Sequence, residues 1–207
     1  MRVEPLSIEG AFVVTPRQHR DDRGVFLESF RGDVLAEHLG HRPDVVQSNV
    51  SVSSRGTVRG IHVSNVPPGQ AKYVTALTGS LLDVVVDLRT GSPTFGRHEA
   101  VLLDTDERRA VYLAEGLGHG FCALEDDTTA MYLCTAVYDP ATEYGVNPLD
   151  PALGIEWPLG PTPLLSPKDA AAPGLEDALA AGRLPSWEAC RERAAALAQR
   201  ADRAAPS

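Results

Sequence analysis

Residues 72–88 read KYVTALTGSLLDVVVDL, and the fold turns on how this stretch is read. Two apolar runs rich in Val, Thr and Tyr flank Thr78-Gly79, a pair in which glycine can supply the positive φ of a tight turn. The pattern predicts a β-hairpin of Lys72–Leu77 and Ser80–Leu88. Outward from it the same signature recurs in Val25–Phe30, Val45–Val52 and Thr57–Val63, and again in Arg109–Leu113, His119–Leu124 and Thr129–Tyr138. Glu115-Gly116 and Glu125-Asp126-Asp127 mark turns between the later runs. Strand follows turn from Ser7 to about Tyr138, and before Asp169 only Asp33–Leu39 keeps a helical apolar period. Short strands with no helices between them predict an antiparallel sandwich or jelly roll rather than βαβ units.

The composition changes near Asp169. Residues 170–207 are rich in Ala, Arg and Glu and carry no strand signal. Gly174–Ala181 and Trp187–Ala201 read as helices parted by Gly182 and Pro185, with Ser186 as the N-cap of the second. A jelly-roll unit over 1–169 with a helical extension over 170–207, packed on the outside of the same body, is the expected organisation.

The chain has 207 residues, 19 Lys+Arg against 28 Asp+Glu, and a net charge of −9. That balance argues against general nucleic-acid binding, and any anionic ligand needs a local cluster of cations. Cys122, Cys134 and Cys190 are few, odd in number and widely spaced, which suits a reducing cytosol and offers neither a metal motif nor a disulfide framework. The N-terminal MRVEPLSIEG has no apolar leader core, and no run of 18 apolar residues occurs. A cytoplasmic protein without a membrane partner is expected.

Two of the six histidines sit in strand-like settings beside glycine, His62 in RGIHV and His119 in GHGF. On a regular strand Arg59 and Ile61 share one face, and Gly60 and His62 the other. A bulge at Gly60 would bring Arg59 and His62 together. A metal centre fits poorly. The second position after His62 is Ser64, so no His-x-His pair forms, and position 72 is a lysine, whose cation repels a metal.

The segments VRGIHVSNVPPGQAKYVTALTGSLLDVVVDLRTGSPTFG, VYLAEGLGHGFCAL, MYLCTAVYDP and PLLSPKD together resemble the dTDP-4-dehydrorhamnose 3,5-epimerase family. The likeness runs from about Pro5 to Asp169, and PPGQAKYV, NPLDP and the Ala-rich tail resemble the actinobacterial branch serving natural-product sugars. The resemblance implies a cupin-type jelly roll, all-β with short peripheral helices. It also implies a dTDP-4-keto-6-deoxy sugar as substrate, no cofactor and a homodimer. It casts His62 as the base, Asp169 as the carboxylate that orients it, Lys72 as the cation at the enolate and Tyr132 as the acid on the opposite face. Arg23 and Arg59 match diphosphate clamps, and Phe26, Glu28 and Tyr138 match positions around the thymine. Gln47 and Asn49 match polar groups of the cleft, and His119 a second histidine near the sugar. Where family members often carry two adjacent tyrosines, this chain has Val137-Tyr138. Inversion of both C3 and C5 is the leading expectation, with a single-centre 3- or 5-epimerase as the alternative. A non-catalytic nucleotide-sugar-binding cupin is the remote one, since neither base nor acid is lost.

Overall fold

The computed structural model describes residues 1–158 and 163–204. It begins with β1 (Arg2–Pro5), β2 (Ala11–Thr15) and a separate ribbon of β3 (Gln18–Asp21) and β4 (Gly24–Leu27). Helix α1 (Gly32–Leu39) comes next, then β5 (Gln47–Ser53), β6 (Val58–Ser64), β7 (Lys72–Thr78) and β8 (Leu81–Asp87). The later strands are β9 (His98–Leu103), β10 (Ala110–Leu113), β11 (Leu117–Ala123), β12 (Thr128–Cys134) and β13 (Glu143–Gly145). Helices α2 (Pro167–Ala170), α3 (Leu175–Ala180) and α4 (Trp187–Ala204) follow. Among the described residues no helix is long and apolar enough to cross a membrane.

Two antiparallel sheets form the body, one ordered β1-β2-β10-β7-β12-β5 and the other β13-β6-β11-β8-β9. Between them Val74, Ala76, Val111 and Ala130 of the first sheet meet Leu81, Val85, Leu117 and Phe121 of the second in one buried cluster. This is the antiparallel jelly roll that the strand pattern predicts. Each sheet is also covered on its outer face. Leu35 of α1 packs with Val14, Tyr73 and Tyr112 on one side, and Leu175, Ala178 and Leu184 with Ile61, Val63 and Val84 on the other. A fully buried side chain of this size is worth roughly 1.5–3 kcal/mol, so both covers contribute substantially.

The double cover explains why the predicted hairpin of residues 72–88 does not form. Strand β7 pairs with β10 and β12, and β8 with β9 and β11. The Thr78-Gly79-Ser80 turn, with Gly79 at φ +67°, carries the chain from one sheet to the other. Val74 and Ala76 face Leu81 and Val85 through their side chains instead of through a hydrogen-bond ladder. Strands buried on both faces lose the alternation that would have separated the two arrangements in the sequence.

Strands β1, β2, β3, β9 and β13 are not predicted by the sequence reading. They are short or polar, and β1 and β9 lie at sheet edges, where alternation has little to bury. Strand β12 ends at Cys134, not Tyr138, and β4 at Leu27, not Phe30. The helices of the tail form as expected: the Ala189 amide donates to Ser186 Oγ at 3.1 Å, and the Arg89 guanidinium lies 4.4 Å from the centre of the Trp187 ring. Residues 205–207 of that tail lie outside the described residues.

Candidate active site

A cavity of about 430 Å³ is lined from both sheets. Strands β5, β7 and β12 supply Gln47, Asn49, Lys72 and Tyr132. Their register explains the grouping: Tyr132 pairs with Asn49, and Cys134 with both Gln47 and Lys72, and directly paired residues of a sheet project to the same side. Strands β6 and β11, in the other sheet, supply Arg59, His62, His119 and Phe121.

Arg59 and His62 reach one cavity because β6 is irregular. His119 pairs with His62 and Phe121 with Arg59, so two steps along β11 match three along β6. The extra residue switches the parity of Arg59, as a bulge does. Gly60 makes this possible, with φ at +118° and no room for a side chain: a Cβ there would lie 2.6 Å from Gly120 Cα and from the His119 carbonyl oxygen.

His62 Nε2 lies 2.8 Å from Asp169 Oδ1. From sequence alone Asp169 reads as a surface turn residue, yet the structure leaves it only 4% exposed. It sits in the first turn of α2, where its amide donates to Ser166 Oγ at 3.0 Å and the capped turn aims the carboxylate at β6. Burial works to raise the Asp169 carboxyl, but the hydrogen bonds from His62 and around Ser166 outweigh it and hold the group below the ordinary carboxylate value.

A second histidine–carboxylate pair lies in the same sheet, His119 Nε2 standing 2.7 Å from Asp83 Oδ2. The sequence reading missed Asp83, although an acid inside the apolar run LLDVVVD has to find a partner when the strand is buried. It also missed Gln70, Phe121, Glu143, Ser166 and Lys168 as lining residues. Lys168 donates to Glu143 Oε1 at 3.1 Å beside the cavity. Across from the histidines, burial pushes the Lys72 ammonium below its usual value, against the opposing pull of Glu143, Cys134 and Asp83. Burial likewise raises the Tyr132 phenol, which keeps it protonated. Among the described residues no group of three or more His, Cys, Asp or Glu side chains stands where it could hold a metal ion.

The cavity therefore gathers His62, Asp169, Lys72, Tyr132, Gln47, Asn49, Arg59, His119 and Tyr138. Arg23, Phe26 and Glu28 stand apart from it. Arg23 pairs with Asp21 and Glu28 with Arg31, and Phe26 is 69% exposed.

The sequence profile of the dTDP-4-dehydrorhamnose 3,5-epimerase family matches residues 5–177. The chain belongs to that family. Its fold is similar to the solved rmlC epimerase of Mycobacterium tuberculosis, with a TM-score of 0.93, 49% identity, and 95% of this chain and 100% of that one covered. It is also similar to NovW, a 4-keto-6-deoxy sugar epimerase from the novobiocin gene cluster of Streptomyces spheroides, at 57% identity and a TM-score of 0.90 over 92% and 95% of the chains. ChmJ of Streptomyces bikiniensis, a 3'-monoepimerase solved in complex with dTDP-quinovose, gives 51% identity and a TM-score of 0.92 over 95% and 99%. Natural-product epimerases thus stand among the similar proteins, as the tail and the PPGQAKYV form imply. As a member of the dTDP-4-dehydrorhamnose 3,5-epimerase family with this cupin-type jelly roll, the protein is an enzyme of the isomerase class.

Proposed function

We propose that the protein inverts C3 and C5 of a dTDP-4-keto-6-deoxyhexose in deoxysugar biosynthesis. The observation that carries the reading is His62 on one sheet, paired with Asp169 of α2, facing Lys72 and Tyr132 on the other. Asp169 accepts from Nε2–H, which leaves the lone pair of His62 on Nδ1. Both C3 and C5 lie α to the C4 ketone, so their protons are the acidic ones. His62 removes such a proton, the electron pair moves onto the carbonyl oxygen, and the Lys72 ammonium holds the enolate. The Tyr132 hydroxyl then protonates the carbon from the other side, inverting the centre. The imidazolium returns its proton to solvent and the phenolate regains one.

Turnover of dTDP-4-keto-6-deoxyglucose in deuterated water tests this, with label expected at both C3 and C5 of the product. Inversion at C3 alone is the second reading, favoured by the 51% identity to a 3'-monoepimerase, and would leave label at C3 only. A protein that neither exchanges nor inverts either carbon overturns both.

A homodimer completes the proposal. The β3–β4 ribbon presents Phe26 and Arg23 to solvent, and β5 is an edge strand with Val50 and Val52 60% and 59% exposed. Exchange of the ribbon between protomers would cover that edge and bring Arg23, Phe26 and Glu28 of one protomer to the cavity of its partner. Arg23 and Arg59 together would then give this acidic protein the local cations that a diphosphate needs. Sedimentation should find a dimer at micromolar concentration, whereas a stable monomer with full activity contradicts the assignment. We further place the enzyme in the cytoplasm and treat 1–169 as the jelly-roll unit and 170–207 as its extension.

A further inference from the structure

We infer that Gln70 is a positioning residue that fixes the wall segment 136–138 and so sets how tightly the nucleotide is held. The inference rests on the proposed reading of the cavity as the substrate site. Beyond Cys134 the chain leaves the β12 ladder and passes between that cavity and a second one, also of about 430 Å³, lined by Val46, Pro68, Ala136 and Val137. Gln70, Tyr138 and Glu143 line both cavities and form the partition. Packing cannot hold a wall with open space on each side, and Val137 and Tyr138 are 66% and 51% exposed.

Two hydrogen bonds with glutamine side chains, one donated and one accepted by them, take the place of packing. Gln70 Nε2 donates to the Ala136 carbonyl at 2.8 Å, and the Tyr138 amide donates to Gln47 Oε1 at 2.9 Å. Gln70 is itself firmly rooted. It is 9% exposed, and the next residue, Ala71, exchanges hydrogen bonds with Thr135 through its amide at 2.9 Å and its carbonyl at 3.1 Å. The bond to Ala136 thus ties the wall to the fixed start of β7.

The test uses the full chain with Gln70→Met, which keeps length and volume and removes the donor. KM for the 4-keto sugar nucleotide should rise about fivefold, the scale of one lost hydrogen bond, with kcat within twofold and the unfolding midpoint lowered by no more than that one bond accounts for. Gln70→Leu, which also lacks the donor and adds no charge to the cavity, should do the same and serves if the methionine variant fails to fold. Combining Gln70→Met with Tyr138→Ala should give no larger KM than Tyr138→Ala alone, because the two act through one wall. An unchanged KM overturns the assignment, as does a KM that multiplies in the double variant, or a joint fall of kcat and midpoint with KM unaltered. A wild-type protein without turnover sinks the substrate-site reading as well, while normal wild-type turnover with an unaltered variant KM sinks only the role of Gln70.

Discussion

His62→Asn is expected to lower turnover by a factor on the order of 10²–10⁴ while leaving affinity for dTDP nearly unchanged. The asparagine amide cannot accept a carbon-bound proton, but it keeps part of the volume and the polarity of the imidazole. His62 is only partly buried, its side chain 24% exposed, and it lies on the face of β6 that lines the cavity rather than in the packed cluster around Ile61 and Val63. The fold should therefore survive the change. In the proposed reading, phosphate and base recognition falls to Arg59, Tyr138 and the residues of the β3–β4 ribbon rather than to the imidazole. Calorimetry with dTDP alongside turnover separates the roles. Parallel loss of binding and rate would make His62 a binding or structural residue.

The sequence makes the layers of this fold legible but not their pairing. Residues 72–88 declare two strands and a turn, yet the turn chemistry of Thr78-Gly79 is the same for a hairpin and for a crossing between sheets. Only the long-range burial of Val74 and Ala76 against Leu81 and Val85 decides between them. The site shows the same division. His62 and Arg59 stand out as residue types, but their shared side depends on a bulge forced by the close approach of Gly60 to Gly120, two strands that no local pattern connects. Asp169 looks like a turn residue because its partner lies 107 positions away. Asp83 is readable in principle, since a carboxylate in LLDVVVD contradicts its surroundings, and His119 partners one of its two oxygens. Gln70 gave no signal, because its value lies in a bond to a segment whose position the sequence does not reveal.

Tyr132→Phe carries the other large expected effect, and it bears on the central claim that the two sheets hold base and acid on opposite sides of the sugar. His62 on β6 and Lys72 on β7 remain in this variant, so removal of the α proton and stabilisation of the enolate survive. Without the phenol the enolate is reprotonated only by the imidazolium, on the face it came from, which regenerates the starting sugar. Loss of a merely structural hydroxyl, costing about 1–3 kcal/mol, would instead slow exchange and inversion together. The decisive measurement follows both rates in one sample of the variant with dTDP-4-keto-6-deoxyglucose in deuterated water, reading label in recovered substrate and epimer formed. Exchange that continues while inversion falls by two orders of magnitude or so is the predicted result. Equal loss of exchange and inversion would contradict the placement of Tyr132 as the acid opposite His62.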